Sequence, residues 1–190
     1  MNQSEPVLSP SENLQLIAEV LAGTKSQVRP WRFYFLLWGW LIFTASILFF
    51  ILKEVMEVKL FFLPFPILVL TGILVSVTRY RKQRHTSEGC ADHFLQQLWT
   101  VLGLAFIVVV VASVVKQVPP FTYTMVIGGV GTLVSGMLMR FRPLIAGGII
   151  FLAMAVASVF AADAFKPLMQ AAAVLIGYLL PGYLHKYAKN

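Results

Sequence analysis

Charge is what the long apolar stretches of this chain lack. Only 12% of its 190 residues are Asp, Glu, Lys or Arg, against about 25% in an ordinary soluble domain. None of these, and no His, falls well inside six apolar runs: Phe33–Leu52, Leu60–Thr78, Leu98–Val115, Phe121–Met139, Leu144–Ala162 and Leu168–Leu184. A charge at mid-membrane costs on the order of 3 kcal/mol and is kept mainly for ion paths, proton relays or counter-ions. Its absence argues against a proton-coupled transporter or an ion pump. It also removes the paired carboxylates or His-containing constellation that an intramembrane hydrolase would need. Ser135 and Ser158 are hydroxyls with no base beside them in sequence. Cysteine is nearly absent too. Cys90 stands alone, so no intramolecular disulfide can form.

What is present is apolar length, with 58% of residues hydrophobic. A helix needs roughly 20 apolar residues to cross a bilayer, and the six runs take up more than half the chain. They are continuous and not alternating, which excludes a membrane β-barrel. The expected fold is therefore all-α: a polytopic membrane bundle of six transmembrane helices over residues 31–190, preceded by a cytoplasmic segment over 1–30. Met1–Pro30 does not read as a signal peptide, because no short apolar region with a small-residue cleavage site follows it. Within it, Ser9-Pro10-Ser11-Glu12 resembles a capped helix start. Leu14, Ile17 and Leu21 then share one face of a short amphipathic helix. That face either lies on the bilayer or the bundle, or docks a partner. Its polar side is not rich in Lys or Arg, which argues against a dedicated lipid-binding helix.

Lys and Arg set the orientation. Placing residues 1–30 in the cytoplasm puts eleven of the fifteen basic residues on that side. They are Lys25, Arg29, Arg32, Arg79, Arg81, Lys82, Arg84, Arg140, Arg142, Lys186 and Lys189. Lys53, Lys59, Lys116 and Lys166 remain outside, and both termini fall inside. This asymmetry accounts for most of the net charge of +7, so nucleic acid is not an expected partner. The bilayer is, together with either a second copy of the chain or a cytoplasmic protein.

Helix packing in lipid relies on small side chains that let backbones approach. Gly128, Thr132 and Gly136 fall at intervals of four before the basic turn Arg140-Phe141-Arg142-Pro143, and this hairpin is the expected packing core. Ala153, Ala157 and Ala161 suggest a second small-residue face, and Ala173 with Gly177 a third. Three outer turns place a Lys shortly before a Pro, which suggests three stacked hairpins without the regular spacing of a sequence repeat. The connection from Arg79 to Gln97 holds His85, Cys90, Asp92 and His93, in a spacing that matches no closed zinc pattern. No catalytic, cofactor or metal residue is assigned.

The glycine-rich run Gly129–Gly136, then Arg140–Leu144, Gly147-Gly148 and Gly177-Tyr178-Leu179-Leu180-Pro181-Gly182-Tyr183-Leu184, resembles an uncharacterised family of small bacterial inner-membrane proteins of Bacteroides-type organisms. Leu37-Trp38-Gly39-Trp40 and the region from Asp92 to Trp99 extend the likeness over nearly the whole chain. The resemblance implies a bacterial inner-membrane location and supplies no activity. The function expected is that of a non-enzymatic regulatory or scaffold protein acting through its cytoplasmic face. The alternative is a small facilitator or channel for a neutral or apolar solute.

Overall fold

The computed structural model describes residues 28–83 and 90–184. They form a helical bundle, with no strand among the described residues. In chain order the helices are α1 (Val28–Phe50), α2 (Pro64–Gln83), α3 (Cys90–Lys116), α4 (Phe121–Leu138), α5 (Arg142–Val159), α6 (Lys166–Val174) and α7 (Leu180–Leu184). A π-helical turn, Ile51–Val55, extends α1, and a second, Leu175–Leu179, joins α6 to α7 in one rod. The candidate docking face Leu14, Ile17 and Leu21 lies outside the described residues.

Proline marks most of the helix starts. Pro64 and Pro66 open α2, Pro120 precedes α4, Pro143 sits in the first turn of α5 and Pro167 in that of α6. A missing N–H costs nothing in a first turn. Three of the turns hold a residue in the left-handed region, Glu57 (φ 50°), Gln117 (φ 57°) and Arg140 (φ 50°). Beside the last two, Val118 N–H donates to the Ser113 carbonyl at 3.0 Å and Phe141 N–H to the Gly136 carbonyl at 2.9 Å. These bonds satisfy carbonyls that a helix end leaves open.

Among the described residues, five helical stretches are long and apolar enough to cross a membrane: Trp31–Val55, Asp92–Lys116, Phe121–Leu138, Arg142–Val159 and Asp163–Tyr183. The second expected span is shorter. Its apolar helix runs only from Pro64 to Arg79, because proline disfavours helical geometry in the residue before it. Leu60–Leu63 accordingly form turns.

α4 and α5 share the most extensive interface, the one expected to be the core. α1 packs on α2 and on the α6–α7 rod, the rod packs back on α5, and α3 packs on α4. Thr132 and Gly136 are buried and Gly128 is half-buried, with the Phe151 ring 3.5 Å from where its Cβ would stand. At Gly136 a Cβ would stand 2.7 Å from the Ile145 backbone nitrogen, and at Gly148 one would stand 2.6 Å from that of Leu133. These helices meet backbone to backbone.

The second small-residue face lies elsewhere than expected. Ala153 and Ala157 are exposed and Ala161 is half-buried. The buried face of α5 is Leu144, Gly147, Gly148, Phe151, Ala155 and Ser158. Gly147 and Gly148 touch other backbones and so fix the rotation of the helix. Ala153 then stands about 200° round from Phe151 at 100° per residue. On the rod, Ala173 and Gly177 are both buried. Gly147 and Gly177 face each other so closely that a Cβ on Gly147 would run into the Gly177 carbonyl. Pro181 explains the π-helical turn there: its ring would clash with the carbonyl four residues back, which is that of Gly177, and the wider turn relieves this.

Candidate functional site

The two ends of the bundle differ in how their charges are satisfied. At the end where α1 finishes and α6 begins, Lys53 pairs with Glu54 at 3.1 Å and Lys166 with Asp163 at 2.6 Å, while Lys59 and Lys116 are exposed and have no ion pair among the described residues. At the other end Arg79, Arg81, Arg140 and Arg142 are exposed, and no ion pair involves them among the described residues. The one described acid there, Asp92, accepts a hydrogen bond from Trp31 Nε1 at 2.6 Å. Arg32 donates through Nε to the Gly182 carbonyl at 3.1 Å, tying α1 to the end of the rod. The Arg79 guanidinium lies 3.9 Å from the Phe33 ring centroid, within cation–π range. The result is a basic face whose guanidinium groups meet no carboxylate among the described residues.

The interior carries no comparable chemistry. Phe35 and Tyr178 meet edge to face at 5.3 Å, with Trp99 and Phe151 against Tyr178 at 6.5 and 6.3 Å. Tyr178, Met125 and Leu179 fill the middle of the bundle. Some buried polar groups are paired between helices, although the buried Ser46 hydroxyl has no hydrogen-bond partner among the described residues. Thr124 Oγ1 donates to Gln170 Oε1 at 2.7 Å, and the Thr122 and Ser158 hydroxyls share a bond of 2.8 Å. In lipid such bonds average about 0.6 kcal/mol in double-mutant cycles and act as glue between helices. Among the described residues no group of three or more His, Cys, Asp or Glu could hold a metal ion. His93 bonds Gln97 at 3.0 Å on the same helix, and His85 lies outside the described residues.

The structure does reveal a constellation that the sequence reading missed. Trp38 Nε1 donates to Ser76 Oγ at 3.2 Å, joining α1 to α2. Trp99 Nε1 donates to Ser135 Oγ at 3.1 Å, joining α3 to α4. One turn before each serine stands a glycine, Gly72 or Gly131. A Cβ there would meet Leu41 Cδ1 at 2.7 Å and the Trp38 ring at 3.2 Å, or Leu102 Cδ1 at 2.7 Å and the Trp99 ring at 3.1 Å. The two clasps are thus the same object built twice. The sequence signal is Gly-x-Leu-Val-Ser at 72–76 and 131–135, followed by Arg79-Tyr80-Arg81 and Arg140-Phe141-Arg142. A looser third version, Gly177-Tyr178-Leu179-Leu180-Pro181, sets its glycine against the Phe151 ring, 2.9 Å from where a Cβ would stand. The first two hairpins thereby deliver their arginines to the same end of the bundle.

Comparison with protein-family models, with curated proteins and with solved structures gives no match in any of the three. The fold and the composition define a helical bundle with several helices apolar enough to span a membrane. That is compatible with a multi-pass membrane protein.

Proposed function

We propose that this chain is a bacterial inner-membrane protein of the uncharacterised family it resembles, and that it works without catalysis. In this reading the basic end faces the cytoplasm, with residues before α1 and after α7 on that side. The protein serves as a regulatory or scaffold element whose cytoplasmic face holds either a second copy or a cytoplasmic protein. The observation that carries the reading is the contrast between the bundle's ends. Two of the four lysines at one end, Lys53 and Lys166, are paired with acids, whereas no described acid pairs with the exposed arginines at the other, and positive charge collects on the cytoplasmic side of membrane proteins. The filled aromatic interior favours this reading over a solute pathway.

The test compares the wild-type chain with a Leu14→Ser/Leu21→Ser variant, each purified from native membranes in mild detergent and, separately, reconstituted in liposomes. A defined partner or dimer held by the wild type and lost in the variant supports the proposal. Glycerol flux above that of empty liposomes, with no complex formed, contradicts it and favours the facilitator.

A further inference from the structure

A groove of about 300 Å³ runs along α1 on the outside of the bundle. Phe33, Leu37, Leu41 and Thr44 lie in line along one side of α1, Trp40 flanks them, and Leu68 of α2 closes the far end. From Phe33 to Thr44 the groove extends about 16 Å at 1.5 Å per residue. That is half of the roughly 30 Å hydrocarbon core, or the depth of one leaflet. Its lining is apolar apart from Thr44 and the indole nitrogen of Trp40, which donates to Tyr183 Oη at 3.0 Å. At the groove's basic mouth, Arg79 stacks on the Phe33 ring at 3.9 Å and stays exposed.

We infer that this groove seats one acyl chain of an anionic phospholipid, whose phosphate is held by Arg79. The groove matches a chain in length and polarity, and the guanidinium at its mouth matches the charge of the headgroup. Arg79 is held over Phe33 and has no ion-pair partner among the described residues, so its charge is available to a phosphate. Guanidinium recognises such a group through paired N–H donors. Basic sites between membrane helices bind acidic headgroups in this manner. The cleft lies between α1 and α2, the pair held by the Trp38–Ser76 clasp, so a seated lipid would brace the second helix, whose apolar part is short. The inference rests on the membrane reading and adds a specific ligand to it.

The test is native mass spectrometry of the full-length chain, released from detergent after incubation with equal amounts of phosphatidylglycerol and phosphatidylcholine. Wild type should retain one phosphatidylglycerol with a preference of about fivefold, the worth of one basic group near an acidic lipid. Arg79→Gln should bring the ratio close to one. Thr44→Trp, which fills the groove from an exposed position, should lower retention of both lipids. Val108→Trp on the exposed side of α3 should change neither. Free glycerol phosphate in excess should not displace the bound lipid. Equal retention of the two lipids by wild type, equal loss in the Thr44 and Val108 variants, or displacement by glycerol phosphate would each overturn the inference. Alkaline carbonate extraction of the same membranes separates the two readings. A chain that resists extraction yet shows no lipid preference sinks the groove alone, and a chain that is extracted sinks the membrane reading with it.

Discussion

The clasp between α3 and α4 and the clasp between α1 and α2 use the same atoms in different surroundings. Ser135 is fully buried and also donates to the Gly131 carbonyl at 2.6 Å. Trp99 is packed further against the Phe35 and Tyr178 rings at 6.3 and 6.5 Å. Ser76 is half-buried, and no ring–ring contact holds Trp38 among the described residues. A tryptophan–serine bond therefore acts as one fastening among many inside the bundle, and as the main polar fastening at its margin. An interhelical hydrogen bond gains little by itself in lipid, because the separated helices find other partners. What differs between the clasps is the packing around the bond, and that sets what its loss would do.

The largest expected difference comes from removing each indole. Trp99→Ala should cost about 3–5 kcal/mol, the range for emptying a packed aromatic site. Trp38→Ala should cost about 1–2 kcal/mol, since its partner Ser76 is only half-buried and lipid tails can refill the site. Thermal or denaturant unfolding in one detergent would show the two side by side. Equal losses would mean that both clasps are equally internal.

A second contrast separates glycines that face backbone from glycines that face side-chain tips. Gly136→Ala should cost about 1–3 kcal/mol by overpacking, because the Ile145 nitrogen that it meets cannot move aside. Gly72→Ala should cost under about 1 kcal/mol, because Leu41 Cδ1 can rotate away. Val134→Leu, at a half-buried position, should be the mildest of the three. The same unfolding assay ranks them, and a reversal of Gly136 and Gly72 would remove the α4–α5 hairpin from the centre of the fold.

Much of this was legible in the sequence. Continuous apolar runs predict the helices, and Gly128, Thr132 and Gly136 predict the face that meets α5. The α5 alanines were misleading for a physical reason. A four-residue interval marks a face without saying whether that face is occupied, and Gly147 and Gly148 win the close contact because only they admit another backbone. The second span was expected to start four residues too early because Leu60–Leu63 are as apolar as the helix that follows, while Pro64 starts it late. The clasps were missed because each half is an ordinary residue in its own helix. The meaning of Trp38 depends on Ser76, which the hairpin returns to it. Only the recurrence of Gly-x-Leu-Val-Ser from 72–76 to 131–135 could have exposed the pairing.

A smaller contrast concerns the serines. Ser135→Ala leaves the half-buried Trp99 indole N–H without its acceptor at a fully buried position and should cost about 1–2 kcal/mol. Ser76→Ala should cost about 0.6 kcal/mol, the average for such bonds in lipid. Pairing each with its Trp→Phe partner in a double-mutant cycle isolates the bond itself. Similar coupling in both cycles, beside unequal single losses, is the expected pattern. The smallest effect is a gain. Gln117→Gly should raise stability by about 0.5 kcal/mol, because a left-handed residue costs more with a Cβ than without one. A loss would mean that the Gln117 side chain contributes to the turn.

The proposed function depends on which end of the bundle faces the cytoplasm. Cysteine labelling in intact cells measures this directly, after Cys90→Ser removes the native thiol. With a membrane-impermeant maleimide, Glu57→Cys and Gln117→Cys should label from outside, and Gln83→Cys should label only after permeabilisation. Labelling of Gln83→Cys in intact cells, with Glu57→Cys and Gln117→Cys protected, would contradict the orientation and turn the basic face outward.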